Sequence, residues 1–346
     1  MIEFRTETKR AQLHDPRKDF ALAEIESEVR HDPLTGDTAR ICHFAMRAPP
    51  APDLTEIDAL SRPGCPFCRE RIEALTPRFP DDLVPGGRLR RGDATLIPNL
   101  FPYDDFSAIA VLCSEHVQRM DAMPERVVVD GLAVARDFIG VAAGRVAAGR
   151  PAYGMVTWNY MPASGGSQVH PHMQVIVTAS PGNALARQLA AAQAFRARTG
   201  RVYAEALLEA ERDGPRWIGE QGRVAWLAPF TPTGVLGDAV AVIRDRATLS
   251  DLDDADVADF AASLVRVLKA FAARGLWSFN LCLMPDAFGA HPPRHRLTAR
   301  LLPRFYLNPK LHVSDASYLQ LLLEERFAML TPEEVAADLR ARFGTA

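Results

Sequence analysis

The sequence predicts an α+β chain whose two halves share one order of elements: strands, a long amphipathic helix, strands, then a further helix. Three observations carry that expectation. A length of 346 residues exceeds one typical domain and suits two. Two stretches repeat apolar residues with the 3.6-residue period of a helix. Short runs rich in β-branched and aromatic residues stand before and after each of them.

In chain order, the first marker is a turn: residues 31–36 read HDPLTG, where Pro33 fixes φ and Gly36 supplies a permissive backbone. Residues 47–64 are proline-rich and predict irregular chain. Leu96–Cys113 reads as two strands around the loop NLFPYDDF. Pro124–Gly149 predicts a helix, with Pro124 at its start and Val128, Leu132, Ala135, Ile139, Ala142 and Val146 on one face. Strands follow at Tyr153–Tyr160 and Met173–Ala179, separated by the polar loop MPASGGSQV, whose backbone amides suit a phosphate. Asn183–Glu211 reads as one long helix.

In the second half, Arg223–Ala228 and Val235–Ile243 predict strands. Ser250 then opens a helix with Asp253 as its capping-box partner. Its apolar face is Val257, Phe260, Leu264, Leu268 and Phe271, and Gly275 suits the C′ position. Trp277–Leu283 and His295–Leu302 predict further strands, and Thr331, Pro332 and Glu334 open a closing helix. A division near residues 180–215 gives halves of 1–200 and 201–346, with no repeat at the level of individual residues.

Composition narrows the function classes. The formal net charge is −3 and no Lys/Arg-rich stripe occurs, which argues against a duplex nucleic-acid partner but not against nucleotides. No stretch approaches the roughly 20 apolar residues that span a bilayer. The N-terminus is polar from the start, without the apolar core of a secretory signal, so the expected location is cytoplasmic. Five cysteines, an odd number thinly spread, do not form a disulfide framework.

Two motifs carry chemistry. In Gly165-Gly166-Ser167-Gln168-Val169-His170-Pro171-His172-Met173-Gln174, strand alternation turns His170, His172 and Gln174 to one face beside a glycine loop. Two imidazoles and an amide so placed suit phosphoryl chemistry; the plainer alternative is a pair of surface strand histidines. Cys65-Pro66-Phe67-Cys68 offers two thiolates to a metal, and with no second such pair any further ligands must be histidines or carboxylates. His116 and His170 are the candidates. The plainer alternative is two buried, inert cysteines.

Together HPHMQ, the CPFC knuckle and the intervening SEH resemble galactose-1-phosphate uridylyltransferase, the transferase branch of the histidine-triad (HIT) superfamily. DPLTG at 32–36, Asn159 eight residues before Ser167, and LTPEEVAADLRARF at the end extend the likeness over most of the chain. The resemblance implies two HIT-like α+β domains with antiparallel sheets, in a homodimer. It implies one structural zinc per chain on Cys65, Cys68, His116 and His170, with His172 as the nucleophile. Ser167 and Gln174 would hold phosphoryl oxygens. Asn159, the loop at Gly165 and Gly166, Asn99, Phe101 and Arg47 would serve the nucleotide. Hydrolytic members usually carry a third histidine where Gln174 stands, and an amide cannot act as a general acid.

The chain also departs from that pattern. Leu297-Thr298-Ala299-Arg300 stands where some members place an H-x-H for a second metal, and no acidic residue lies between Asn183 and Arg198, so no second metal is expected. The sugar-contacting Tyr-Glu pair falls on Gln320 and Leu321, which removes polar contacts to galactose. Arg300, Arg304 and Lys310 lie where an acceptor phosphate would bind, or are solvated strand-edge charges. The expected activity is transfer of a nucleoside monophosphate from a nucleotide sugar to a sugar 1-phosphate or related phosphorylated acceptor. The alternatives are a phosphorylase acting on a nucleoside diphosphate sugar or a dinucleoside polyphosphate, and a non-catalytic nucleotide-binding protein.

Overall fold

Polar, charge-alternating residues open the chain. In the computed structural model, which describes residues 2–43, 47–146 and 149–344, they form strands on either side of the DPLTG turn. β1 (Arg5–Asp15) and β2 (Ala21–His31) make a long antiparallel hairpin, joined by β3 (Thr38–Cys42). Their side chains are largely exposed and pair across strands, as Arg10 does with Glu26 at 2.9 Å. β1 carries no apolar alternation, whereas in β2 Ala23, Ile25 and Val29 alternate with glutamates.

Residues 47–64 are not wholly irregular: α1 (Leu54–Ser61) forms there, capped by Asp53. The CPFC knuckle follows, then the single turn α2 (Ile72–Leu75). The central strands of the first half are β4 (Leu89–Arg91), β5 (Ala94–Pro98), β6 (Phe106–Val111), β7 (Tyr153–Tyr160) and β8 (His172–Thr178). α3 (Glu125–Ala143) crosses between β6 and β7, and Val128, Leu132, Ala135, Ile139 and Ala142 are buried as their spacing predicts. It stops at Ala143, short of Gly149; residues 147–148 of the expected helix lie outside the described residues.

The helix expected over Asn183–Glu211 is two helices, α4 (Asn183–Thr199) and α5 (Tyr203–Glu211). Gly200 breaks them by taking a left-handed conformation, φ 73°, that caps α4. The second half then supplies β9 (Trp217–Gln221), unmarked in the sequence, β10 (Val224–Leu227) and β11 (Ala239–Ile243), the last shorter than its apolar run. α6 (Asp254–Ala272) is capped by Asp253 itself, with Asp256 completing the box, four residues later than the expected start at Ser250. Its five predicted apolar residues are all buried. Gly275 adopts φ 83° two residues past the cap Ala273, one position beyond C′.

β12 (Ser278–Met284) and β13 (Thr298–Arg304) complete the sheet. After them come β14 (Tyr306–Asn308), β15 (Val313–Ser314), α7 (Tyr318–Leu322), β16 (Arg326–Ala328) and α8 (Pro332–Phe343), the last with the Thr331–Glu334 capping box. β16 runs parallel to β3 and closes the small sheet in the order β1-β2-β3-β16.

Ten strands, all antiparallel to their neighbours, form one sheet in the order β4-β5-β6-β8-β7-β12-β13-β11-β10-β9. Read from either edge inward, the two halves repeat one topology, with α3 and α6 in corresponding places. The halves meet in the β7–β12 pair, where Asn159 lies opposite Asn280. α3 and α6 pack together on one face of the sheet, and a single apolar core runs beneath both. On the opposite face α5 covers the second-half strands and α4 the start of β7, while the His172 end of β8 stays open.

Candidate functional site

Alternation along the central strands decides which residues reach that open face. Trp158 and Tyr160 of β7 and Met173 and Val175 of β8 point into the core, so Asn159, His172 and Gln174 point the other way. The CPFC knuckle packs onto the same face, with Cys65, Phe67 and Cys68 against Ile97 and Val111.

Cys65, Cys68, His116 and His170 converge there, all buried, with one ligand atom from each lying within 4.8 Å of the other three. Cys68 Sγ is 3.4 Å from His116 Nδ1, and both sulfurs are 3.8 Å from His170 Nδ1. A tetrahedral ion with metal–sulfur bonds near 2.3 Å and metal–nitrogen bonds near 2.0 Å sets sulfur and nitrogen about 3.5 Å apart, so the spacing fits. The tautomers fit as well. His170 Nε2 donates to the Cys113 carbonyl at 2.8 Å, leaving Nδ1 unprotonated. Ser61 Oγ gives its own proton to the Ile57 carbonyl, so it accepts from His116 Nε2 at 2.9 Å and frees that Nδ1 too. Burial and the neighbouring Cys65 push the Cys68 thiol up to about 11, so Cys68 ionises there only when a cation compensates. The cluster can hold one metal ion.

His172 begins β8, two residues after the candidate ligand His170. Its Nδ1 donates to the His170 carbonyl at 2.8 Å, because a carbonyl only accepts. That bond fixes the tautomer and leaves the Nε2 lone pair free. Burial lowers the His172 pKa below its ordinary value, partly offset by the same carbonyl, so the ring is neutral near pH 7.

A cleft of about 240 Å³ opens before it, lined by His172, Gln174, Ser167, Gln168, Asn99 and Phe101 with an apolar floor from Phe67, Ile97 and Ile109. Most of the expected site residues therefore gather in one place. Gly165 and Gly166 form the loop beside it; Gly165 takes φ 81°, and a Cβ on Gly166 would meet the Asn159 carbonyl at 2.8 Å. Asn99 spends its side chain locally, accepting from the Phe101 amide at 3.1 Å. Arg47 is exposed and does not line the cleft.

Other expectations need correction. Arg300 does not line the cleft: it donates to Asp238 at 2.8 Å and Thr233 at 2.6 Å in a separate cavity between the two halves, about 90 Å³, that Asp32, Gln188, His295 and Thr298 also line. Arg304 is not a solvated strand-edge charge either; it is held by Asp315 and Asn280. Gln320 caps its own helix through Ser317, and Leu321 is exposed, so neither reaches the cleft within this chain. Lys310 is exposed.

Two residues escaped the sequence reading. Tyr103 Oη donates to Gln174 Oε1 at 3.2 Å, turning the amide nitrogen of Gln174 away from it. Asn280 donates through Nδ2 to Asn159 Oδ1 at 2.7 Å. The one signal for Asn280 was faint: W-N-Y at 158–160 and F-N-L at 279–281 both set an asparagine among core residues.

The chain is 28% identical over 340 residues to an uncharacterized protein of Archaeoglobus fulgidus, across 98% of each. No protein-family model matches it. Among solved structures, an ADP-glucose phosphorylase from Arabidopsis thaliana with bound ADP-glucose superposes with a TM-score of 0.70 at 18% identity, over 91% of this chain and 98% of the other. A uridylyltransferase structure does so at 0.66 and 20% identity, over 91% and 98%. The chain has the uridylyltransferase fold. Within that fold the shared element is the architecture just described, a mixed α and β chain dominated by antiparallel sheet. No helix among the described residues is long and apolar enough to cross a membrane.

Proposed function

We propose that this protein transfers a nucleoside monophosphate from a nucleotide sugar to a phosphate-bearing acceptor, through a covalent intermediate on His172. The observation that carries the reading is the His172 tautomer: Nδ1–H held by the His170 carbonyl and Nε2 free at a cleft beside Gln174 and the glycine loop. Nε2 attacks the α-phosphorus in line, the bond to the bridging oxygen breaks, and the sugar 1-phosphate leaves with those electrons. In the second step an acceptor phosphate oxygen attacks the same phosphorus and releases the imidazole. A phosphate leaving group needs no proton near neutral pH, which suits an amide at position 174 rather than a titratable side chain. The Gln174 nitrogen and the Ser167 hydroxyl would donate to the nonbridging oxygens as charge develops.

The metal in this reading is zinc, whose preference for two thiolates and two imidazoles matches the cluster, and its role is to fix the knuckle and His170. The working unit is a homodimer, as the uridylyltransferase resemblance implies, and its place is the cytoplasm. A second acceptor is favoured by one observation: ADP-glucose is bound in a phosphorylase that shares this fold at a TM-score of 0.70, and inorganic phosphate is the co-substrate of that chemistry.

The test is intact-mass spectrometry after incubation with ADP-glucose, UDP-glucose and other nucleoside diphosphate sugars, without acceptor. A mass increase of one nucleotidyl group (a nucleoside monophosphate less water), mapped to His172 and discharged by phosphate or a sugar 1-phosphate, supports the proposal and names the base. Turnover by His172→Ala, or an adduct on another residue, overturns it.

A further inference from the structure

Both protons of the Asn280 amide are spent, and its oxygen is engaged. Its Nδ2 donates to Asn159 Oδ1 at 2.7 Å and to the Ser164 carbonyl at 2.9 Å, while its Oδ1 accepts from Arg304 Nη1 at 2.8 Å. Arg304 is held in turn by Asp315, which accepts from Nε at 2.9 Å and from Nη2 at 2.6 Å and is buried. The chain of bonds has one direction. Turning the Asn280 amide over would set its NH2 against a guanidinium and its oxygen against two acceptors.

That direction reaches the cleft. Asn159 Oδ1 is already engaged, so the open group of its amide is the NH2. β7 and β8 pair Thr157 with Gln174, and continuing that register sets Asn159 opposite His172 on the same face. Ser164, the other acceptor, belongs to the turn that leads into Gly165 and Gly166.

We infer that Asn280, locked by Arg304 and Asp315, is a positioning residue supplied by the second half of the chain. It presents the Asn159 NH2 to an acceptor oxygen of the nucleotide and fixes the Ser164 carbonyl beneath the phosphate loop. The inference rests on the reading that the cleft binds a nucleotide at His172. It explains why the two halves share a sheet pair at this point: the first half supplies the reacting groups, and the second orients them.

N280D, N280A, N159A and the N159A/N280A double variant test it. N280D keeps Arg304 paired but replaces the donor with an acceptor, so Asn159 must turn its amide and face the nucleotide with oxygen. Calorimetry with AMP and with UMP gives affinities, and intact mass gives the rate of His172 labelling from ADP-glucose and UDP-glucose. Melting temperature and metal content report the fold. The expected result is a loss of about 10- to 100-fold in N280D and a smaller loss in N280A, with N280A adding little in the N159A background.

Wild-type behaviour of N280D, or additive losses in the double variant, overturns the inference. Should N280D fail to fold, the N159A/N280A cycle decides alone. If AMP or UMP binding shows the pattern but His172 is never labelled in wild type, the transferase reading fails and the positioning role stands. If neither nucleotide binds the wild type, both fall.

Discussion

The Phe67 ring lies 5.3 Å from the His172 imidazole, centroid to centroid, and 6.2 Å from that of His170. One phenyl group, fixed between the two cysteines of the knuckle, therefore touches both the candidate nucleophile and a candidate metal ligand. The metal cluster and the cleft share a wall.

Metal loss should therefore be felt twice. We expect about one zinc per chain by elemental analysis, and a large drop in melting temperature for Cys65→Ser, because a structural ion contributes folding free energy. Phe67→Ala should keep the metal yet slow labelling of His172 about tenfold or more, since a reacting group displaced by an ångström loses that much. A zinc-free protein that is stable and active would sink the first expectation; full-rate Phe67→Ala would sink the second.

Three substitutions on β8 and the residue before it should separate by kind. His172→Ala should abolish the adduct while keeping metal and fold. Gln174→Ala should be slower by about 10²- to 10³-fold, typical of losing one stabilising donor. His170→Ala should behave as a metal and folding variant, read by zinc content and melting temperature. Because burial lowers the His172 pKa, its ring is neutral above that lowered value, so labelling should be flat from pH 8 through 6.5 and fall only below. A rate that halves at 6.5 would contradict the buried geometry.

No second metal should bind in the second half. Arg300 places a guanidinium, paired with buried Asp238, where Thr298 and Gln188 also line the cavity, and a cation there would meet that charge. Chelation mild enough to leave the zinc should not reduce turnover. A second stoichiometric metal, removed by Thr298→Ala, would show this to be wrong.

Acid should destabilise the fold through His295. Burial holds it down to about 4, against about 6.5 in an unfolded chain. Below pH 6.5 the unfolded state binds the proton and the folded state does not, so stability falls as pH drops from 6.5 toward 4 and levels off beneath it. The full shift corresponds to at most roughly 3 kcal/mol. Melting curves of wild type and His295→Gln at pH 7 and pH 4.5 should diverge, with the variant losing less; parallel losses would exclude His295 as the cause.

What could be read from residues alone was whatever repeats locally. The faces of α3 and α6 follow from a 3.6-residue period, and each named apolar residue on them that the helix includes is buried. Two-residue alternation set His172 and Gln174 on one face, and the spacing of CPFC announced a ligand pair. β1 stayed hidden because an exposed strand carries no apolar alternation, β9 because its buried Trp217 and Ile218 open a run of only five residues, and the break at Gly200 because a good helical pattern continues on both sides of it.

The sequence by itself thus determined the helices with a buried stripe, the nucleophile candidate and the four candidate ligands of the metal cluster. Only the tertiary structure decided what those residues face. His116 meets Cys68 across 48 positions, Arg300 meets Asp238 across 62, and Asn280 meets Asn159 across 121. A hydrogen bond depends on register and direction to within a few tenths of an ångström. Register between distant strands is set by how the whole sheet packs, which no local pattern encodes.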